Sequence, residues 1–232
     1  MKCVILAGGK GSRISEISKN IPKPMIKILG KPIIIKIMQH YSRFGFKDFI
    51  IAAGYKKEII KDYFKKNTFK EWNVKVIDTG LNTMTGGRIK RLEKFLDRET
   101  FMLTYGDGLS NVNIKKLLKY HNKYKKIGTL TAVRPPARFG AIKISKNKVS
   151  YFKEKSKLDE GWINGGFFVL EPEIFKYIKG DETFFEKEPL QRISKSNQLF
   201  AYKHKGFWQC MDTLRDKEIL EKELKFKKNK IS

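Results

Sequence analysis

The sequence predicts an α/β fold with a mostly parallel central sheet flanked by helices on both faces. Three observations carry this. Short β-rich runs alternate with helix-patterned stretches over the first half of the 232 residues. Those runs are continuously apolar rather than alternating, as strands covered on both faces are. Glycine-bearing segments follow two of them, at Gly8–Ser12 and at Gly106-Asp107-Gly108. Such sheets bind ligands at the carboxyl ends of their strands, so both turns are expected to face one crevice.

In chain order, a strand is expected at 4–6, then a loop and a helix from 32 to about 43. A buried strand at 48–53 precedes a short helix at 58–65, whose Ile59, Ile60, Tyr63 and Phe64 fall at helical spacing. A strand at 74–77 leads to a helix at 88–96 with Ile89, Leu92, Phe95 and Leu96 on one side. The strand at 101–104 ends in Tyr-Gly-Asp-Gly. Ile114, Leu117, Leu118 and His121 mark one face of the next helix, before a strand at 129–133. From 135 to 168 short strands dominate, with turn signals at Lys146-Asn147 and Gly165-Gly166. Helices are expected at 172–178, near 188–195 and at 213–226, with a strand at 199–202. The Lys-rich end reads as a frayed tail. The whole reads as one domain, 1–232. It divides at 1–133, 134–212 and 213–232, the last being the terminal helix and tail.

The totals narrow the class. Hydrophobic residues make up 41%, enough for a full core, and the formal net charge is +26. That charge suits a nucleic-acid binder, an enzyme of phosphorylated substrates, or a lysine-rich composition that coats any surface. The lysines are scattered through nearly every segment, which favours the compositional reading. Cys3 and Cys210 form neither a disulfide framework nor a zinc spacing. Glycines and charges interrupt the apolar start too early for a signal peptide, and no stretch has the length of a membrane span, so a cytoplasmic protein is expected.

Residues 7–15 read AGGKGSRIS. By themselves they fit a tight βα turn or a phosphate cradle of backbone N–H groups and an arginine. Lys23 sits between two prolines that stiffen its backbone, as a phosphate clamp or a solvated loop lysine. Asp107, flanked by glycines at a strand end, can reach a bound cation or can form an ordinary Asp-Gly turn. Asp212 or Thr213 suits the N-cap of the last helix, with the cap favoured for Asp212. Glu154 and Lys155 are a polyol-binding pair or a charge run, and 162–166 suits a polyol or a hairpin turn. His121 reads as a packed core histidine.

Together these segments resemble the sugar-phosphate nucleotidylyltransferases, most closely the glucose-1-phosphate cytidylyltransferase branch. The matching stretches are Leu6-Ala-Gly-Gly-Lys-Gly-Ser-Arg13, Pro22-Lys-Pro-Met25, Asp78-Thr-Gly80, Thr83-Met-Thr-Gly-Gly-Arg88 and Thr104-Tyr-Gly-Asp-Gly108. Arg138-Phe-Gly-Ala141, Ile163-Asn-Gly-Gly-Phe-Phe168 and 206–217 continue the series. They span almost the whole chain.

The resemblance implies a Rossmann-like nucleotide-diphosphosugar transferase fold whose nucleotide-binding half is 1–133 and whose smaller, β-rich acceptor-binding half is 134–212. It implies that Leu6, Ala7, Gly8, Gly9, Gly11 and Ser12 line the nucleotide, with Arg13 on the triphosphate and Lys23 on the reacting phosphates. Thr85, Gly87 and Arg88 would select the pyrimidine of CTP. Asp107 and Asp212 would share Mg²⁺. Glu154 would hold sugar hydroxyls, Lys155 the sugar phosphate, and Asn164 with Gly165 the sugar ring. Arg13, Lys23, Asp107, Lys155 and Asp212 form the implied catalytic set. Ser12 stands where the family has threonine and Ser156 where it usually has proline, and the stretch between Tyr63 and Val74 is shorter than in typical members.

The implied activity is transfer of CMP from CTP to a sugar 1-phosphate, glucose 1-phosphate foremost, giving a CDP-sugar and pyrophosphate for surface polysaccharide synthesis. Rival readings are a cytidylyltransferase of another sugar phosphate or small phosphorylated metabolite, a nucleic-acid binder, and a silent ligand-sensing relative. The leading reading has no nucleic-acid or membrane partner. The apolar face of the terminal helix suggests a homo-oligomer.

Overall fold

The computed structural model describes residues 1–11, 14, 19–96, 98–135, 141–153 and 161–229. Its centre is a seven-stranded sheet with the order β12-β8-β11-β6-β1-β4-β5. The strands are β1 (Lys2–Ala7), β4 (Asp48–Ala53), β5 (Asn73–Asp78), β6 (Phe101–Tyr105), β8 (Gly128–Val133), β11 (Ile163–Leu170) and β12 (Leu199–His204). β1 pairs in parallel with β4 and β6, β4 with β5, and β8 with β12; β11 runs antiparallel between β6 and β8. The mostly parallel sheet expected from the apolar runs is therefore present.

Both faces of that sheet are buried. Cys3, Ile5, Phe49, Ile51, Met102, Phe167 and Val169 point to one side, while Val4, Leu6, Ile50, Phe101, Leu103, Phe168 and Leu170 point to the other. Consecutive residues alternate between the two cores because side chains along a strand alternate faces. The first face is covered by α1 (Ile33–Ser42), α2 (Lys57–Lys66), α5 (Ile114–Tyr124) and α7 (Leu214–Asn229). The second is covered by α3 (Thr85–Lys90), α4 (Glu93–Leu96), a 3₁₀ turn at Pro172–Tyr177 and α6 (Glu188–Lys195). Truncating a fully buried side chain such as Ile5 to alanine would cost about 2–5 kcal/mol.

Small pairings complete the fold: β2 (Lys27–Ile28) with β3 (Lys31–Pro32), β7 (Gly108–Ser110) with β13 (Trp208–Cys210), and the hairpin of β9 (Ala141–Ser145) and β10 (Lys148–Lys153). Lys146 turns that hairpin at φ 53°, where the Lys146-Asn147 signal stands.

Two expectations change. The helix expected at 88–96 starts earlier and divides at Arg91. Gly86 and Gly87 lie inside its first part because the 181–183 backbone packs directly on them. The turn expected at Gly165-Gly166 is instead part of continuous β11, whose register shifts between Asn164 and Phe168. Gly166 takes φ 75° there, and its N–H donates to Asn164 Oδ1 (2.9 Å), so the strand kinks without reversing. Leu220 and Leu224 of α7 pack on this chain's own core. Among the described residues no helix is long and apolar enough to cross a membrane.

Candidate active site

All the parallel strands end at one edge of the sheet, and the antiparallel β11 begins there. Asn164 pairs with Ala132, one residue short of the end of β8. The topology thus brings the glycine loop after β1, the Gly106-Asp107 turn after β6 and the start of β11 to one crevice.

The glycine loop is held from below. Gly8 O accepts from Tyr55 N (3.0 Å) and from Arg88 Nη2 (2.9 Å). In a planar trans peptide the N–H points opposite to the C=O, so Gly9 N–H is turned away from Arg88. Gly9 has open space where a Cβ would stand, and Gly11 adopts φ 66°. Gly106 N donates to Leu6 O (3.0 Å), and a Cβ on Gly106 would lie 2.7 Å from that oxygen and 3.0 Å from Pro24 Cγ. The end of β1, the Pro22-Lys-Pro segment and the β6 turn therefore touch. Ser12 and Arg13 lie outside the described residues, as do Glu154 and Lys155.

That contact sets Lys23 between two carboxylates. Its Nζ lies 2.7 Å from Asp107 Oδ2 and 2.7 Å from Asp212 Oδ1. Burial opposes its charge, but Asp107 and the bonds to both carboxylates outweigh that and raise its pKa above the ordinary lysine value. The pairing of β7 with β13, with Met211 N on Asp107 O (2.9 Å), carries Asp212 to this point. The α7 start is capped by Thr213 and Asp216. Thr213 Oγ1 accepts from Asp216 N, and Asp216 Oδ2 accepts from the N–H groups of Asp212 and Thr213. The cap favoured for Asp212 thus belongs to Thr213, which leaves the Asp212 side chain turned to Lys23.

The donor set fits a divalent cation. Two carboxylates from segments 105 residues apart already converge on one positive charge, and Mg²⁺ takes one or two carboxylates beside substrate phosphates. Among the described residues no group of three or more His, Cys, Asp or Glu could hold a metal. Burial pushes the nearby Cys210 thiol up to about 12, so it offers no thiolate nucleophile.

On the α3 side, Arg88 is buried. It donates to Thr79 Oγ1 (2.9 Å), Gly80 O (2.6 Å) and Leu81 O (3.3 Å) as well as to Gly8 O. It ties the loop after β5 to the glycine loop. A Cβ on Gly87 would stand 2.6 Å from Asp181 O. Thr85 Oγ1 donates to Glu186 Oε2 (2.6 Å), whose other oxygen accepts from Tyr105 Oη (2.6 Å). Tyr105 Oη is 3.3 Å from Asn164 Nδ2, and Gly165 O accepts from Trp208 Nε1 (2.7 Å).

The structure therefore brings together Lys23 with Asp107 and Asp212, Gly8 with Arg88, and Thr85 with Asn164 through a shared network. Sequence reasoning missed Tyr105, Glu186 and Trp208 as site residues. Tyr105 adjoins Gly106-Asp107 and Trp208 precedes Asp212 closely, so position was a signal for both; Glu186, 101 residues from Thr85, carried none.

A family model described as nucleotidyl transferase matches residues 2–218. The chain is 47% identical over 243 aligned residues to the curated glucose-1-phosphate cytidylyltransferases of Salmonella typhi and Salmonella typhimurium, covering 95% of each chain in both comparisons. Among solved structures it is similar to HddC from Yersinia pseudotuberculosis, with TM-score 0.76 and 26% identity over 96% of this chain and 99% of that one.

Proposed function

This chain belongs to the nucleotidyl transferase family, and from that premise we propose that it transfers CMP from CTP to glucose 1-phosphate, giving CDP-glucose and pyrophosphate. The observation that carries the proposal is the meeting of Lys23, Asp107 and Asp212 beside the glycine loop at the sheet's carboxyl edge. The Salmonella relatives supply the choice of nucleotide and acceptor.

A phosphate oxygen of the acceptor attacks the α-phosphorus of CTP in line. The bond to the β-phosphate oxygen breaks, and pyrophosphate carries away that electron pair. No covalent enzyme intermediate is needed, so the chain's part is positioning and charge. Gly9, with no side chain in the way and its N–H turned from Arg88, lets the loop backbone approach the triphosphate. Lys23 supplies a fixed positive charge to the reacting phosphates. Asp107 and Asp212 would hold Mg²⁺, which when bound neutralises phosphate charge and templates the displacement. Arg13 would add a cation on the triphosphate, and Lys155 one on the sugar phosphate. Thr85, Gly87 and Arg88 border the pyrimidine in this reading. Glu154, Asn164 and Gly165 hold the sugar.

The test is pyrophosphate release with CTP, UTP, dTTP, GTP or ATP, each offered with Mg²⁺ against sugar 1-phosphates and small phosphorylated alcohols. The expected result is turnover with CTP and glucose 1-phosphate. Turnover with CTP and only another acceptor would overturn the acceptor and direct attention to the short stretch between Tyr63 and Val74. Silence across the panel would overturn the reaction.

A further inference from the structure

We propose that Glu186 is a positioning residue for the acceptor sugar, acting through Tyr105 to fix the orientation of the Asn164 amide. The inference rests on the reading of Asn164 as an acceptor contact.

The polarity of the network carries it. An ionised carboxylate only accepts hydrogen bonds. Thr85 Oγ1 and Tyr105 Oη lie 2.6 Å from opposite oxygens of Glu186, so both hydroxyls must donate to it. Each hydroxyl then has only lone pairs to offer its remaining neighbour. Thr85 Oγ1 accepts from Phe185 N (2.9 Å), and Tyr105 Oη accepts from Asn164 Nδ2 (3.3 Å). From the other side, Gly166 N–H is a donor by necessity and sits 2.9 Å from Asn164 Oδ1. The amide is pinned at both ends in one orientation. Its second N–H and a lone pair of Oδ1 remain to meet a ligand in a fixed donor and acceptor order.

Glu186 has no structural need to be a carboxylate at this place. It is exposed, so water would satisfy it equally well. Tyr105 is the last residue of β6 and adjoins the Gly106-Asp107 turn, so the orientation of its hydroxyl matters at the crevice itself. A glutamine at 186 keeps the shape but offers one acceptor and one donor group, so one of the two hydroxyls loses its partner or reverses. Reversal at Tyr105 puts its O–H against the Asn164 N–H₂ and releases the amide.

The test compares N164A, E186Q, Y105F and the E186Q/Y105F double variant by acceptor KM, CTP KM, kcat and melting temperature. The relay predicts that E186Q and Y105F each raise the acceptor KM about tenfold with melting within a few degrees, while Y105F, which leaves Thr85 bonded to Glu186, keeps CTP KM within about twofold. The double variant should be no worse than the poorer single one, since both cut one chain of bonds. Two outcomes would overturn the proposal: N164A raising the acceptor KM while E186Q and Y105F leave it unchanged, or E186Q and Y105F lowering melting and kcat with no KM split. N164A leaving the acceptor KM unchanged would remove Asn164 from the acceptor site, and the relay with it.

Discussion

Replacing Arg88 with alanine tests how far the glycine loop depends on a cation it never exposes. Arg88 is only 4% exposed and reaches four oxygens, those of Thr79, Gly80, Leu81 and Gly8, at 2.6–3.3 Å. A hydrogen bond from a charged donor contributes about 1.5–3 kcal/mol. Four such bonds do not sum, because the guanidinium is itself costly to bury. Burial, with Arg91 nearby, already lowers its pKa below the ordinary arginine value. Truncation regains that desolvation but takes this donor from Thr79 Oγ1, Gly8 O and the part-buried carbonyls of Gly80 and Leu81, for a net loss of about 4 kcal/mol. At about 2–4 °C per kcal/mol for a chain of this size, melting should fall by about 8–16 °C. Gly8 O would keep Tyr55 N but lose the bond that turns Gly9 N–H from Arg88, so CTP KM should rise about tenfold. Differential scanning calorimetry and initial-rate titration of CTP measure both. Melting within about 3 °C of wild type together with an unchanged CTP KM would refute the reasoning. R88K is the finer probe: one ammonium cannot fork to four oxygens, so it should recover only part of the loss.

Other perturbations follow from single contacts. D107N should cut pyrophosphate release at least about 10²-fold with melting nearly unchanged, since Lys23 keeps Asp212; near-normal turnover would take Asp107 out of the reaction. G87A forces a Cβ against the Asp181 backbone and should lower stability by about 1–3 kcal/mol in urea titration; an unchanged midpoint would contradict that packing. Burial lowers the pKa of His40 to about 4, against a hydrogen bond to the Val112 backbone that raises it. The unfolded chain therefore binds a proton that the native chain refuses between pH 6.5 and 4. Stability should fall as pH drops through that window, by up to about 3 kcal/mol. H40F should flatten this limb of the urea midpoint against pH, and equal slopes in both proteins would disprove the assignment.

Much of the scaffold was legible because it depends on local patterns. Continuous apolar runs marked β1, β4 and β6, and the spacing of Ile89, Leu92 and Leu96 marked a buried helix face. His121 is buried, bonded to Thr129 and Glu171, as its apolar neighbours implied. What failed did so where partners are distant. Asp212 looked like a cap because its true partner, Lys23, is 189 residues away, although the Thr213-x-x-Asp216 spacing was itself a local capping signature. Gly165-Gly166 looked like a turn because the bonds of Asn164 and Trp208 that hold β11 extended come from side chains. The resemblance put Arg88 at the pyrimidine, and nothing local shows that its guanidinium also meets carbonyls brought from two loops. Glu186 has no local signature, since its two partners come from α3 and β6.

The order of strands also governs how the chain can be made. β1, β4 and β5 are neighbours in space and the first strands of the sheet to be synthesised, and β6 pairs at the β1 edge. The other edge of β6 waits for β11, because β8, although translated first, pairs only with β11 and β12. Between the end of β6 at Tyr105 and the end of β11 at Leu170, synthesis takes roughly 3–13 s at about 5–20 residues per second. For that interval the apolar Phe101, Met102 and Leu103 lack their β11 partner, and an unpaired apolar strand is the kind that recruits other chains. The strand that delivers Asn164 to the crevice is thus also the one that seals the nascent sheet, and slow codons placed before it would lengthen the window for aggregation.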